Sequence, residues 1–317
     1  MTLEQLRVFV LVAEHLHMTR AAERLHMTQS AVSASVAALE ASCGVALFHR
    51  VGRRIELTDA GAGFLPEARA ILARVEAART VLADFSGLKR GRLALKASQT
   101  IANYWLGPLL YRFHVLYPEI ELSLSVGNTA QVSAAVLEGE VDLGFVEGEV
   151  NEVLLARSPI PGDRLVLVVA ASHPWVGRER IGPEELLDLP FVLREAGSGT
   201  RQMFESALAR AGIAPDRLKV VLDLPSNEAV LSAVIAGAGA TVISDLVARS
   251  ELAAGTLARL PLSLPPRSFY ALRHADRYHS RAAAALLELA RSAGDGAGAG
   301  HPVAAPGAPR GLRHADS

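Results

Sequence analysis

The chain holds a single cysteine, Cys43, among its 317 residues. An intramolecular disulfide and a cysteine-rich zinc site are therefore both excluded, and Cys43 itself is expected to be a small core filler. Charge of one sign is lacking too. Lys and Arg number 32 against 33 Asp and Glu, for a net charge of −1. If the chain binds nucleic acid, the affinity has to come from local arginines and from pairing of subunits, not from a basic whole. No uninterrupted apolar run reaches the length of a membrane span. The N-terminus is an amphipathic helix carrying Glu4, Arg7 and Glu14, not a secretory signal. A cytoplasmic protein with no membrane partner is expected.

Catalytic constellations are also missing. His15, His17 and His26 cluster in sequence but match no ligand spacing, and neither Cys nor carboxylate completes a metal set. Gly197-Ser198-Gly199 lacks the spacing of a nucleophile elbow. Gly237-Ala238-Gly239-Ala240 precedes a strand instead of following one, so it is no dinucleotide fingerprint. An enzyme, a resident cofactor and a metal are accordingly not expected. Half the residues are hydrophobic, enough for a sizeable core spread over two or three domains.

What the chain does have is a short helix pair near its start. Thr28 is an N-cap, and Val32, Val36 and Leu39 recur at helical spacing as a buried stripe. Thr28, Gln29, Ser30, Ala31, Ser33 and Ala34 give this helix an exposed N-terminal face of small hydrogen-bonding residues. Short side chains let a helix sit deep in a groove about 12 Å wide, where Gln reads adenine, Ser meets base or phosphate, and Ala packs on a thymine methyl. The preceding helix, Thr19 to Leu25, takes Thr19 as cap and packs through Ala21, Ala22 and Leu25. His26-Met27 is the short turn that a helix-turn-helix requires. A first helix with Leu3, Leu6, Phe9 and Val10 closes a tri-helical core. By helix pattern alone, an ordinary helical hairpin with a Ser-rich solvent face explains these residues as well.

The next segment separates the two readings. Two short strands flank Val51-Gly52-Arg53-Arg54 as a hairpin wing, placing Arg50, Arg53 and Arg54 as phosphate or minor-groove contacts. With Ala21-Ala22, Leu25, Thr28-Gln29-Ser30-Ala31-Val32-Ser33, Leu39-Glu40, Gly44, Leu47-Phe48, Arg50 and Leu57-Thr58-Asp59-Ala60-Gly61, residues 2–61 resemble the winged helix-turn-helix domain of LysR-type transcriptional regulators. Ser42-Cys43 departs from that pattern, which more often has a bulkier apolar residue before the glycine.

From Thr58 to Ser86 the chain reads as one long helix. Phe64, Ala68, Ile71, Val75, Ala78, Leu82 and Phe85 alternate in steps of four and three, a heptad seam, and Pro66 is expected to bend the first turns. A helix packed on its own domain is the alternative, but the polar break from Gly87 to Arg92 leaves it no globular neighbour in sequence, and we read the seam as a dimerising coiled coil. The resemblance implies the same use of this segment.

Strands and helices alternate from Leu93 onward. Strands read at Leu93–Leu95, Ile120–Val126, Val141–Val146, Leu165–Ala170, Phe191–Leu193, Val220–Leu224, Ala240–Ser244 and Ser268–Arg273. Helices read near Leu106–Leu116, Gln131–Glu138, Arg201–Ala211, Glu228–Ala236 and Ser280–Ser292. The pattern predicts α/β layers with mostly parallel sheets. Two lobes are expected, with crossings at Ser158–Gly162 and Pro261–Arg267. The resemblance implies the same two-lobed fold, that of periplasmic solute-binding proteins. The expected division is a DNA-binding domain over 1–58, a linker helix and hinge over 59–91, and an effector domain over 92–292. Within it, lobe I spans about 92–160 and 267–292 and lobe II about 161–266. A disordered tail of Gly, Ala and Pro runs over 293–317.

Ligands in such folds lie between lobes, beyond the carboxyl ends of strands. Ser98-Gln99-Thr100, Asn128-Thr129 and Gly197-Ser198-Gly199-Thr200-Arg201 fall at such ends, with Asn227 a fourth candidate. They offer hydroxyls and helix N-terminal N–H groups that suit an anion, and Arg201 and Arg194 can add charge. Routine helix capping explains each segment singly. Glu147, at another strand end, would repel a fully ionised ligand but can accept a bond from a partly protonated oxyanion. As a solvated turn residue it would do neither. Around these positions the chain is similar to LysR-type regulators of sulfite reduction, sulfur assimilation and carbon fixation. That implies an oxyanion such as sulfite or sulfate, or a small phosphorylated or carboxylated metabolite. The expected partners are double-stranded DNA with inverted half-sites, this small anionic effector, a second copy of the chain in a dimer or, as the resemblance suggests, a tetramer, and RNA polymerase. A solute-binding protein or an enzyme on the same two-lobed fold is the alternative, and residues 2–61 speak against both.

Overall fold

A computed structural model describes residues 1–51, 54–85, 91–148 and 150–293. The expectations for Arg53, for the side chain of Phe85 and for the tail from residue 294 lie outside the described residues.

The N-terminal domain is α1 (Leu3–His15), α2 (Met18–Leu25), α3 (Gln29–Cys43) and the hairpin β1 (Phe48–Val51) and β2 (Arg54–Leu57). Thr2 and Gln5 cap α1 reciprocally, each side chain bonding the other's backbone N–H. The cap of α2 is His17, whose Nδ1 accepts from the Arg20 N–H at 3.4 Å. The helix thus starts a residue before the expected cap Thr19. Ala21 and Ala22 are buried with Val8, Val12, Val32 and Val36, so α1, α2 and α3 cross through small side chains. The core begins at Leu6 and Phe9, one turn later than expected, since Leu3 is exposed and Val10 only half-buried. Cys43 is exposed and no core filler. It is the last residue of α3, ahead of the Gly44 cap, where the helix has run past the core.

Helix α4 (Asp59–Phe85) runs unbroken through Pro66. Its start sits against Leu47, just ahead of β1. A Cβ at Gly61 would lie 2.1 Å from the Leu47 carbonyl oxygen, so only glycine permits the approach. Phe64 stacks at 5.2 Å on Phe9, and Ala68 is buried among Leu6, Phe9, Leu39 and Leu47. These two seam residues therefore belong to the core of their own domain and are not free for a partner. Ile71, Ala78 and Leu82 are exposed, Leu82 at 73 %, and Val75 is half-buried. The part of the seam open to a second chain begins at Ile71.

The second half is β3 (Gly91–Ser98), α5 (Gln99–Tyr104), α6 (Leu106–Leu116), β4 (Ile120–Gly127), α7 (Thr129–Glu138), β5 (Leu143–Glu147), β6 (Leu155–Ala170), β7 (Pro190–Arg194), α8 (Gly199–Arg210), β8 (Lys219–Leu224), α9 (Asn227–Ile235), β9 (Thr241–Ser244), α10 (Asp245–Ala254), β10 (Leu257–Leu260), β11 (Pro266–His274) and α11 (Arg281–Ser292). One lobe is built on Phe113, Phe145, Phe269 and Leu286, the other on Leu167, Phe191, Phe204 and their neighbours.

The sheets are mixed, not mostly parallel. β3 pairs in parallel with β4 and β5, and β7 with β8. β11 runs antiparallel to β5 and β6, and β9 and β10 antiparallel to β6. The reason is that the first expected crossing, 158–162, is paired strand, while the second is unpaired over 261–265 and becomes strand only at Pro266. Residues 158–162 lie inside the 16-residue β6, and β11 begins at Pro266, so the lobes are joined by two antiparallel strands. Among the described residues no helix is long and apolar enough to cross a membrane.

Candidate functional site

The first candidate surface is the N-terminal end of α3. Thr28 stands in extended backbone and its Oγ1 accepts from the Ala31 N–H at 3.2 Å. This cap leaves Gln29, Ser30 and Ala34 exposed, with Ala31 and Ser33 half-buried beneath them. Arg50 and Arg54 are exposed on the two strands of the hairpin, Arg50 paired with Ile55 and Arg54 with Val51. Two anchors hold the wing to the helix. The Glu40 carboxylate accepts from the Leu47 and Phe48 N–H groups at 2.7 and 3.0 Å. The Thr58 hydroxyl donates to the Ala46 carbonyl at 2.8 Å and accepts from the Gly61 N–H. The exposed N-terminal face of α3 and the wing arginines are thereby held as one unit.

The second candidate site lies where the lobes meet. Ser98, Thr100, Thr129, Glu147, Ser198, Thr200 and Asn227 are all buried there. Ser98 Oγ donates to the Glu147 carboxylate, and Thr200 Oγ1 donates to it at 3.4 Å. Thr129 Oγ1 donates to the Glu147 carbonyl at 2.9 Å. Across the cleft, Asn227 Nδ2 donates to Thr100 Oγ1 at 3.3 Å, and the Asn227 N–H donates to Gln99 Oε1 at 2.9 Å. Gly199 is forced by closeness. A Cβ there would lie 1.9 Å from the Glu147 carbonyl oxygen and 2.5 Å from Thr129 Oγ1.

Helix capping does not account for these hydroxyls. Ser98 and Ser198 occupy N-cap positions, yet neither side chain bonds its helix. Asn128 and Ser226, by contrast, do cap, accepting from Gln131 and Ala229. Asn128 also donates to Glu195 at 3.2 Å. Glu147 is no solvated turn residue but the acceptor at the centre of the hydroxyl cluster. Arg201 does not join that cluster. It is drawn outward by Glu205 at 2.7 Å, Asp223 at 2.5 Å and the Arg194 carbonyl. It lines instead an adjoining cavity of about 510 Å³ between α7 and α8, together with Thr129, Ser133, Ser198 and Gln202.

Three charged groups went unread in the sequence. Arg267 is completely buried, bonded through Nε and Nη2 to Asp163, and donates through Nη1 to Thr200 Oγ1 at 3.2 Å. Ser244 donates to the same aspartate. Glu195 takes both Nε and Nη2 of Arg194, at 2.8 and 2.9 Å, while Arg194 Nη1 donates to Asn227. A carboxylate at 195 directly after an arginine at a strand end was the available signal. Asp163 and Arg267 lie 104 residues apart and gave none.

Burial acts to raise the Glu195 carboxyl, but the hydrogen bonds and charge of Arg194, helped by Asn128, outweigh it and hold the group below its ordinary value. A depressed carboxyl contributes stability above its unfolded pKa, about 4.3, and loses it as pH falls through the folded value. Glu195→Gln should therefore flatten the loss of stability below about pH 4.3 in melts taken down the acid limb. An unchanged acid slope would remove Glu195 from that account.

Comparison with known proteins places each half of the chain in a known family. Residues 3–62 match the family described as bacterial regulatory helix-turn-helix protein, lysR family, and residues 86–295 match the LysR substrate binding domain. A probable RuBisCO transcriptional regulator of Cyanophora paradoxa is 35 % identical over 292 residues, covering 90 % of each chain. The HTH-type transcriptional regulator CysL of Bacillus subtilis is 34 % identical over 247 residues, covering 78 % of this chain and 82 % of that protein. Among solved structures, the Synechocystis CcmR regulatory domain in complex with 2-PG aligns with a TM-score of 0.60 at 31 % identity, over 66 % of this chain and 99 % of that one.

Proposed function

The chain belongs to the LysR family of transcriptional regulators, and from that premise we propose that it is a cytoplasmic homo-oligomeric regulator whose DNA-binding is controlled by a small oxyanion held between its two lobes. In this reading residues 1–58 bind DNA, 59–91 link and pair subunits, and 92–292 sense the effector. The relatives named above are regulators, not enzymes.

The observation that carries the effector site is the set of buried hydroxyls at strand ends that do not serve as helix caps, Ser98 and Ser198 above all. Their chemistry favours an anion that brings a proton. Arg267 and Arg194 are already neutralised by Asp163 and Glu195, and the Glu147 carboxylate shares the hydroxyl donors. A fully ionised ligand would meet that carboxylate directly, whereas one carrying its own proton can donate to it. Sulfite and small phosphorylated metabolites, which still hold a proton near neutral pH, fit this class, whereas sulfate and carboxylated metabolites are fully ionised there and fit it less well; a similar domain, that of CcmR, binds 2-PG. The cavity beside Arg201 leaves room for an organic portion.

The effector reading is tested by thermal shift of the full chain against sulfite, sulfate, inorganic phosphate and 2-PG. Thr100→Val and Thr200→Val should abolish the stabilisation that an effective anion gives the wild type. Retention of wild-type shifts by both variants would place the site elsewhere.

Pairing through Ile71, Val75, Ala78 and Leu82 brings two recognition helices to inverted half-sites. Exposed apolar residues on two sheet edges, Leu124 and Val126 on β4 and Val220 to Leu222 on β8, supply a further surface for dimer or tetramer assembly. RNA polymerase is the machinery such a complex would act upon. On DNA, Gln29→Ala or Ser33→Ala should each cost about 1–3 kcal/mol on the cognate site and little on random sequence. Arg54→Ala should weaken all sequences and reduce the salt slope by about one unit. Equal losses on specific and random DNA for Gln29 and Ser33 would sink the readout role.

A further inference from the structure

A second cavity, about 470 Å³, shares no lining residue with the hydroxyl cluster and lies at the junction of three parts of the chain. Arg7 and Glu14 of α1, Arg69 and Glu76 of α4, and Arg92, Asp142 and the 273–279 segment of the effector half wall it together. Its acids are already engaged. Arg69 bonds Glu14 at 3.1 Å and Glu140 at 3.5 Å, and Asp142 accepts from the Ala94 N–H at 2.7 Å. Its bases are less well matched. Arg277 gives its two terminal nitrogens to the carbonyls of Val136 and Leu137, not to a carboxylate. Among the described residues Arg273 has no ion pair, while Arg69 Nε and His279 Nε2 are buried without a hydrogen-bond partner.

The basic groups also disfavour one another. Burial, then Arg74, holds Arg277 below its ordinary value. Burial, then Arg277, does the same to His274, with Arg74 adding to it and Asp276 opposing. Burial, then Arg273, lowers His279. Such mutual repulsion around a solvent-sized space is what a bound negative charge relieves.

We propose that this junction cavity is a second ligand site, for a small multivalent anion such as a phosphate ester or polycarboxylate, held by Arg92, Arg273 and the His274–His279 edge. Its position gives it a distinct consequence. The cavity is walled by the DNA-binding domain, the linker helix and the effector half together, so its occupancy biases how they sit together, independently of the interlobe site.

The test is calorimetry on the full chain with inorganic phosphate, pyrophosphate and citrate, the panel separating phosphate-type from carboxylate-type recognition. At least one probe should bind the wild type. Arg92→Gln/Arg273→Gln should weaken that binding by about tenfold or more, and Thr100→Val/Thr200→Val should leave it intact. Arg92 is exposed at the start of β3, so Arg92→Gln alone repeats the test should the double variant fail to fold. The proposal is overturned if no probe binds wild type, if the arginine variants bind as wild type does, or if only the threonine variant loses binding. That last outcome would assign the anion to the interlobe site and leave the effector reading standing.

Discussion

Asp163→Ala should destabilise the effector half by about 3–5 kcal/mol, the cost of leaving a buried charge without its partner. Arg267 has no exposed side-chain surface, and Asp163 has almost none. Burial works against the Arg267 charge, and the neighbouring acids Asp163, Glu147 and Asp245 outweigh it and raise the group above its usual range. Removing Asp163 therefore strands a guanidinium that cannot discharge, and also frees the Ser244 hydroxyl. Replacing both partners by apolar residues, Asp163→Leu with Arg267→Met, should recover much of the loss. It should still impair ligand response, because Arg267 also orients Thr200. Denaturant unfolding of the full chain measures both. A loss under about 1 kcal/mol for Asp163→Ala would show that water reaches Arg267 and that the pair is not the clamp between β6 and β11.

Gly199→Ala should act on lobe closure. The added methyl meets a main-chain oxygen, Glu147 O, which cannot rotate away as a flexible side chain would. The N-terminus of α8 must then move off the end of β5, separating Thr200 and Ser198 from Ser98 and Glu147. Overpacking of this kind costs about 1–3 kcal/mol, so the closed population, and the apparent affinity that depends on it, should fall by about fivefold to more than a hundredfold. Since the strain falls on the closed arrangement, ligand affinity should suffer more than thermal stability. Wild-type affinity in Gly199→Ala would mean that the ligand-bound state does not bring these two backbones together.

The sequence made some of this legible because the signals are local. Thr28, the Val32–Val36–Leu39 stripe and the Ala21-Ala22 pair define their helices within a few residues, and α3 follows them. Heptad spacing identified the apolar side of α4, but periodicity does not say what covers it. Phe64 and Ala68 are covered by Phe9 and Leu47 of the same chain, a fact fixed by tertiary packing. The strand that runs through the first crossing was missed for a related reason. Pro159 and Pro161 lie within β6, where proline ordinarily signals a break, so a long strand looked like a connection. The hydroxyl segments were readable because they lie at strand ends. The charges that set their chemistry, Arg267 with Asp163 and Arg194 with Glu195, depend on pairings made only in the folded chain.

An oxyanion in the hydroxyl cluster should change how the chain engages DNA. This is tested most directly by mobility shift and bend-angle measurement on a cognate inverted repeat, with wild type and Thr100→Val/Thr200→Val, each with and without the anion found effective by thermal shift. The expected result is an anion-dependent change in the wild-type complex and none in the variant, with both proteins binding the site equally without ligand. An anion response that persists undiminished in the variant, or a wild-type complex that no stabilising anion alters, would contradict the account.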